Sequence, residues 1–190
     1  MQISDSQILE MFHSGKREKA FSLLMEKYQE RIYWHIRRMV MIHEDADDVM
    51  QNTFVKVWNA LENFRAESQL YTWLYRIATN EALNHLQIKK KKAAVPFESS
   101  SSADQDDDSN FGPSNYLKSD PYFNGDEIEL KLQRAIDSLP DKQRQVFLLR
   151  YYDEMPYEQM SEILGTSVGA LKASYHHAVQ KVEAYLMKND

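Results

Sequence analysis

Apolar side chains recur at three- and four-residue steps along most of this chain, and a single stretch, residues 93–125, breaks the pattern. Steps of that size place each apolar residue on one stripe of an α-helix, so the sequence demands helices that bury one face. From about Lys16, the residues Ala20, Phe21, Leu24, Tyr28, Ile32 and Ile36 make one stripe. Within "DADDVMQNTFVKVWNALENF" a second stripe carries Met50, Phe54, Val57, Trp58 and Leu61, leaving Asp47, Asp48, Gln51, Asn52 and Lys56 off it. A third, in "SQLYTWLYRIATNEALNHL", carries Leu70, Trp73, Leu74, Ile77 and Ala78, with Tyr71 and Tyr75 off it. A shorter helix precedes them: Ser4 and Gln7 match a capping box, and Gly15 punctuates its end. Five glycines and five prolines supply too few turns for an all-β fold. The expected fold class is all-α, with two small helical domains, residues 1–92 and 126–190, joined by a flexible acidic linker.

The linker is a different material. Residues 93–125 carry one basic and six acidic side chains, are rich in Ser, Asp, Asn, Pro and Gly, and show neither helical nor alternating period. Beyond it the helices are short. One runs from about Asp126 to Leu139 and stops at Pro140; the next covers about Asp141 to Tyr152 and ends before Pro156. Then "YEQMSEIL" and "SVGALKASYHHAVQKVEAYL" are joined by Gly165 and Thr166, with Ser167 placed as the N-cap of the second. That is the spacing of a helix-turn-helix: apolar Met160 and Leu164, small Ser161 between them, Gly165 at the turn, then apolar Val168 and Leu171. Helical hairpins that touch no DNA share this spacing.

Several function classes fall away on residue content. With no cysteine there are no disulfides, thiolate zinc sites or cysteine nucleophiles. No apolar run nears the roughly 18 residues of a membrane span, and the N-terminus lacks the cationic-then-apolar order of a signal peptide, so a soluble, cytoplasmic protein is expected. There is no phosphate-cradling Gly-rich loop, no H-E-x-x-H and no carboxylate pair in an apolar setting, which argues against an enzyme. Neither a metal nor another cofactor is expected. His176 and His177 point about 100° apart on one helix with no third ligand nearby. The run Asp104, Asp106, Asp107, Asp108 lacks the downstream glutamate of a calcium loop.

Two stretches, in order, resemble the extracytoplasmic-function (ECF) sigma factors, the promoter-recognition subunits of bacterial RNA polymerase. "DADDVMQNTFVKVWNALENFRAESQLYTWLYRIATNEALNHL" resembles the family's region two, and "LPDKQRQVFLLRYYDEMPYEQMSEILGTSVGALKASYHHA" its region four. The resemblance implies a partner in core RNA polymerase, a target in promoter DNA, and an anti-sigma factor that restrains activity. It also implies a division of labour. Opening a bubble of order ten base pairs at about 1.4 kcal/mol per stacking step costs well over 10 kcal/mol, whereas one base trapped on an aromatic or apolar pocket returns about 1–3 kcal/mol.

By this resemblance, the loop "FRAES" with Arg65, Glu67 and Ser68, and the helix after it, grip the non-template strand of the minus-ten element. Arg76 contacts phosphate or base, Asn80 and Asn84 hydrogen-bond base edges, and Tyr71 and Tyr75 present rings to DNA. Trp73 lies on the apolar stripe and is expected in the core. The family's D-x-x-Q-[E or D] pattern docks on a coiled coil of the largest polymerase subunit, and "DVMQN" places Asp48, Gln51 and Asn52 there, with Asn52 in place of the usual acid. In region four, Lys172, Ser174, His176 and His177 are implied readers of the minus-thirty-five element, with Thr166 and Ser167 donating to backbone phosphate. Family members commonly carry several arginines at the positions of Ser174, His177 and Val179; here Lys172 is the one permanent cation between Val168 and Gln180. Tyr175 is expected to pack in the core or at the helix edge rather than stack on a base, and Val146, Phe147, Leu149 and Tyr151 are expected to pack inward or onto the polymerase flap.

A net charge of -6 fits a subunit that borrows its cations from the polymerase. The four linker aspartates are expected to thread a basic RNA-exit path as a mimic of polyanionic RNA. The run of four lysines at 89–92 ends the third stripe as a solvated helix end or follows the DNA backbone. The competing reading is a stand-alone helix-turn-helix transcriptional regulator, which binds duplex without polymerase.

Overall fold

The computed structural model describes residues 3–65, 67–93 and 127–188. Within them are eight α-helices and no strand, in agreement with the all-α expectation. The N-terminal module consists of α1 (Asp5–His13), α2 (Arg17–Val40), α3 (His43–Leu61) and α4 (Leu70–Ala93). The C-terminal module consists of α5 (Glu127–Asp137), α6 (Asp141–Tyr151), α7 (Tyr157–Leu164) and α8 (Val168–Lys188). The linker aspartates, and the expectation attached to them, lie outside the described residues.

The capping box is formed. Gln7 N–H donates to Ser4 Oγ at 3.2 Å and Ser4 N–H donates back to Gln7 Oε1 at 3.0 Å, satisfying two of the donors that a helix start leaves open. Ala20, Leu24, Tyr28, Ile32 and Ile36 of α2 are buried, and Leu70, Trp73, Leu74 and Ala78 of α4 pack toward them. The stripe on α3 departs from expectation. Trp58 is 38% exposed and packs only edge-on, its ring 5.0 Å from Phe21 and 6.2 Å from Phe12, while Ala46, Val49 and Thr53 join Phe54, Val57 and Leu61 inside. Thr53 tolerates burial because its hydroxyl donates to the Val49 carbonyl at 2.7 Å.

In the C-terminal module, Ile136, Leu148, Leu149, Met155, Met160 and Leu171 form the core, and Phe147 stacks on Tyr175 at 5.9 Å. Val146, Phe147 and Leu149 face inward as read from sequence; Tyr151 does not, being about half exposed. The turn between α7 and α8 is the expected one: Gly165 takes φ +62°, and Ser167 Oγ accepts from Ala170 N–H at 3.4 Å. A side chain at that φ costs about 1–2 kcal/mol.

The two modules are docked, with α2 against α6 and α4 against α7. Lys90 Nζ donates to Asp141 at 2.8 Å, Gln159 Nε2 donates to Gln69 Oε1 at 3.1 Å, and the buried amide of Gln133 meets Met41 Sδ at 3.2 Å. Two non-glycine residues with left-handed backbone, Met41 (φ +70°) and Glu154 (φ +49°), flank this junction. Positions of that kind persist where surrounding contacts hold them.

Candidate nucleic-acid and partner surfaces

Helix α4 carries a polar row. Arg76, Asn80 and Asn84, spaced one turn apart, are all exposed on one face, and Arg65 and Glu67 stand exposed in the loop before it with Ser68 half-buried. Trp73, eight per cent exposed, is a core residue whose ring lies 4.9 Å from Phe64.

Tyr75 corrects the sequence reading. Tyr75 is 1% exposed, with its ring 4.8 Å from His35 and its hydroxyl donating to Asp153 at 3.3 Å. Burial and the neighbouring Asp153 carboxylate hold its phenol far above the ordinary range, so it remains a donor. Tyr71 is half-buried against Tyr75, and desolvation raises its phenol as well. The Tyr75 ring is therefore not presented to solvent as the off-stripe reading expected, because the C-terminal module packs over this end of α4, whereas Tyr71 keeps part of its ring on the cleft between the modules.

On α3, Asp48, Gln51 and Asn52 are all exposed, beside the exposed Val55. The acidic start of this helix is partly engaged internally: Asp45 is paired with Lys89 and Asp47 with His43. Asp48, Gln51 and Asn52 therefore form a hydrogen-bonding edge on an exposed helix face.

In the helix-turn-helix, Lys172, His176 and His177 are exposed along α8 and Ser174 is half-buried. The two histidine rings lie 5.8 Å apart. Lys172 Nζ sits 5.7 Å from the centre of the Tyr157 ring, a geometry suited to cation–π attraction. Thr166 departs from its expected role: its hydroxyl donates to the Leu164 carbonyl at 3.3 Å, which turns it toward the turn it stabilises. Ser167 is exposed and accepts at the helix start with its own O–H still available to donate.

The sequence reading missed His35, Arg38 and Asp153. His35 Nδ1 meets Asp153 Oδ2 at 2.9 Å across the junction, and Arg38 lies over the Tyr152 ring at 4.3 Å. A signal was present: a histidine three residues after Ile32 sits on the apolar stripe, where a polar ring needs a partner. What the sequence does not reveal is that the partner lies on the other module.

Comparison with known proteins fits this geometry. The family model Sigma-70 region 2 matches residues 24–92, and Sigma-70, region 4 matches residues 129–182. The RNA polymerase sigma-H factor of Pseudomonas aeruginosa is 33% identical over 190 residues, covering 97% of this chain and 95% of that protein. The ECF RNA polymerase sigma-E factor of Escherichia coli K12 is 33% identical over 186 residues, covering 96% and 94%. Among solved structures, CnrH in complex with the cytosolic domain of CnrY aligns with a TM-score of 0.70 at 21% identity, covering 98% of this chain and 99% of that one. The sigma factor RpoE bound to the anti-sigma factor NepR from Bartonella quintana aligns at 0.68 and 20%, covering 89% and 98%.

Proposed function

The chain belongs to the sigma-70 family, among its ECF sigma factors, and from that premise we propose that it binds core RNA polymerase and directs promoter recognition and transcription initiation. Its N-terminal module is region two and its C-terminal module region four. The observation that carries the reading is the pairing of two polar helix faces on separate modules. Arg76, Asn80 and Asn84 are exposed on α4, and Lys172, His176 and His177 are exposed on α8 beside the cap at Ser167.

The roles follow from chemistry. Asparagine amides donate and accept, so Asn80 and Asn84 suit base edges of the minus-ten element, with Arg65 and Arg76 on phosphate or base and Glu67 and Ser68 completing the loop. Lys172, Ser174, His176 and His177 read the minus-thirty-five element, and the O–H of Ser167 meets a phosphate at the helix start. Asp48, Gln51 and Asn52 dock on the largest polymerase subunit. The chain acts as a binding subunit in the cytoplasm and catalyses nothing itself. Among the described residues no helix is long and apolar enough to cross a membrane. An anti-sigma factor restrains it by covering these faces.

The docked arrangement bears on the mechanism. Elements roughly 25 base pairs apart lie roughly 80 Å apart at 3.4 Å per base pair, so modules in contact cannot serve both and must part on the promoter. Run-off transcription from genomic fragments with added core polymerase tests the function. Discrete transcripts are expected only when both are present, and no shift of duplex DNA by the free chain. Tight duplex binding without polymerase, with no co-migration with core enzyme, would overturn the reading in favour of a stand-alone regulator.

A further inference from the structure

Three groups of the N-terminal module converge on one carboxylate of the C-terminal module. His35 Nδ1 donates to Asp153 Oδ2 at 2.9 Å, the Tyr75 hydroxyl donates to Oδ1 at 3.3 Å, and Arg38 Nη1 stands 3.8 Å from Oδ1. The imidazole is oriented from its other side, where the Thr79 hydroxyl meets Nε2 at 2.9 Å. The His35 and Asp153 side chains are 1% and 7% exposed, so both have been withdrawn from water, a desolvation that only good geometry offsets. The N-terminal module thus holds an anion receptor built from an imidazole N–H, a phenol O–H and a guanidinium, and an aspartate from the other module fills it.

The surroundings say which anion the receptor suits. Arg31, Trp34 and Arg38 follow one another at three- and four-residue steps on one face of α2. With Glu30, Tyr71 and Tyr75 they line the N-terminal side of a cleft of about 420 Å³, whose other side is Tyr152, Asp153 and Glu154 of the C-terminal module. With Asp153 and Glu154 withdrawn, the N-terminal side keeps Arg31 and Arg38 interleaved with Trp34, Tyr71 and Tyr75 against the single acid Glu30, which suits a polynucleotide strand whose phosphates meet the cations while its bases stack on the rings. An acidic peptide would use the cations and leave the rings idle, and a duplex, whose bases are stacked on one another, offers the rings none.

We propose that His35, Arg38 and Tyr75 form a backbone-phosphate site for single-stranded DNA, which Asp153 occupies in cis while the two modules are docked. The inference rests on reading the chain as a promoter-binding subunit, and it adds a residue-level site with its internal competitor. The parting of the modules on a promoter would vacate the site as the strand is supplied.

The test uses the full chain and fluorescein-labelled single-stranded (dT)15 at low salt, read by fluorescence anisotropy. Asp153→Ala is expected to tighten binding about tenfold, the factor for a wild-type chain whose site is open in about one molecule in ten. Asp153→Asn preserves shape and moves affinity the same way, which keeps the test valid if the alanine variant folds poorly by circular dichroism. Adding Arg38→Ala to either variant returns the affinity to the wild-type level. Unchanged affinity in both Asp153 variants, tightening that survives Arg38→Ala, or competition by poly-glutamate as strong as by unlabelled (dT)15 would each overturn the proposal. Co-migration with core polymerase, measured on the same proteins, separates the two readings: its loss in the wild type counts against the sigma-factor function and not against this site.

Discussion

Ile32, Ile36, Leu61 and Leu74 lose almost all their surface inside the N-terminal module, whereas its junction with the C-terminal module is held by His35 and Asp153, Lys90 and Asp141, and Gln69 and Gln159. The difference lies in what each loses on opening. An apolar side chain returned to water forfeits about 25 cal/mol for every Å² exposed, with nothing to replace it. A hydrogen bond opened to water is exchanged for another, at a net loss of only about 0.5–1.5 kcal/mol. The module interiors are mainly apolar, whereas the junction, at which Met39 and Leu83 also face Leu148, adds polar pairs whose partners solvent, nucleic acid or another protein can replace.

That contrast breaks most easily at Trp73. Replacing it by Ala removes a buried indole that packs on Phe64, and an expected loss of about 3–5 kcal/mol should appear as a shifted urea midpoint of the N-terminal module. A loss below about 1 kcal/mol would mean that this interior is no firmer than the junction. Gly165→Ala in the C-terminal module comes next. An added Cβ meets no atom within 4 Å, so the expected cost of about 1–2 kcal/mol is backbone strain alone, measurable by thermal melting.

Asp137 sharpens the comparison with the opposite sign. Burial pushes its carboxyl above the ordinary range, its Oδ2 has no partner, and its Oδ1 accepts from the Gln133 amide that also reaches Met41 across the junction. A raised carboxyl favours the folded state below its ordinary pKa, and that advantage fades as pH rises through the folded value. Asp137→Asn should therefore stabilise the chain by about 1 kcal/mol at pH 7, with the gain shrinking in acid.

The smallest effect is expected at Lys90 and Asp141, an exposed pair. The Lys90 ammonium hydrogen-bonds Asp141 and lowers its carboxyl below the ordinary 3.8, so the contribution is present above that pH and is lost as pH falls through the lowered value. Lys90→Ala should change stability by less than about 1 kcal/mol at neutral pH and by nothing once Asp141 is protonated. A large change in thermal melting at pH 7 would show that the junction carries folding stability.

Much of this was legible in the sequence, for reasons that also mark where legibility stopped. The stripe of α2, the capping box at Ser4 and the turn at Gly165 are local, set by helical period and by a backbone angle that glycine tolerates. Asp48, Gln51, Asn80 and Asn84 were found as polar residues off a stripe, and their exposure on a helix face follows from the same period. Trp58 slipped because a stripe drawn from apolar identity alone ignores small residues, and Ala46 and Thr53 pack closer than an indole. Tyr75 and Asp153 were illegible for a different reason. Period assigns a residue to one side of its own helix, and the neighbour that buries Tyr75 is a loop 78 residues further along.

If the junction closes in the free chain and opens on DNA, the distance between the modules must change on the promoter. With no native cysteine to interfere, spin labels at Asn59→Cys on α3 and Glu183→Cys on α8 report the separation of the modules by electron double resonance. A single short distance in the free protein, replaced by one several tens of Å longer once core polymerase and promoter DNA are added, is the predicted result. The same distance in both states would contradict it.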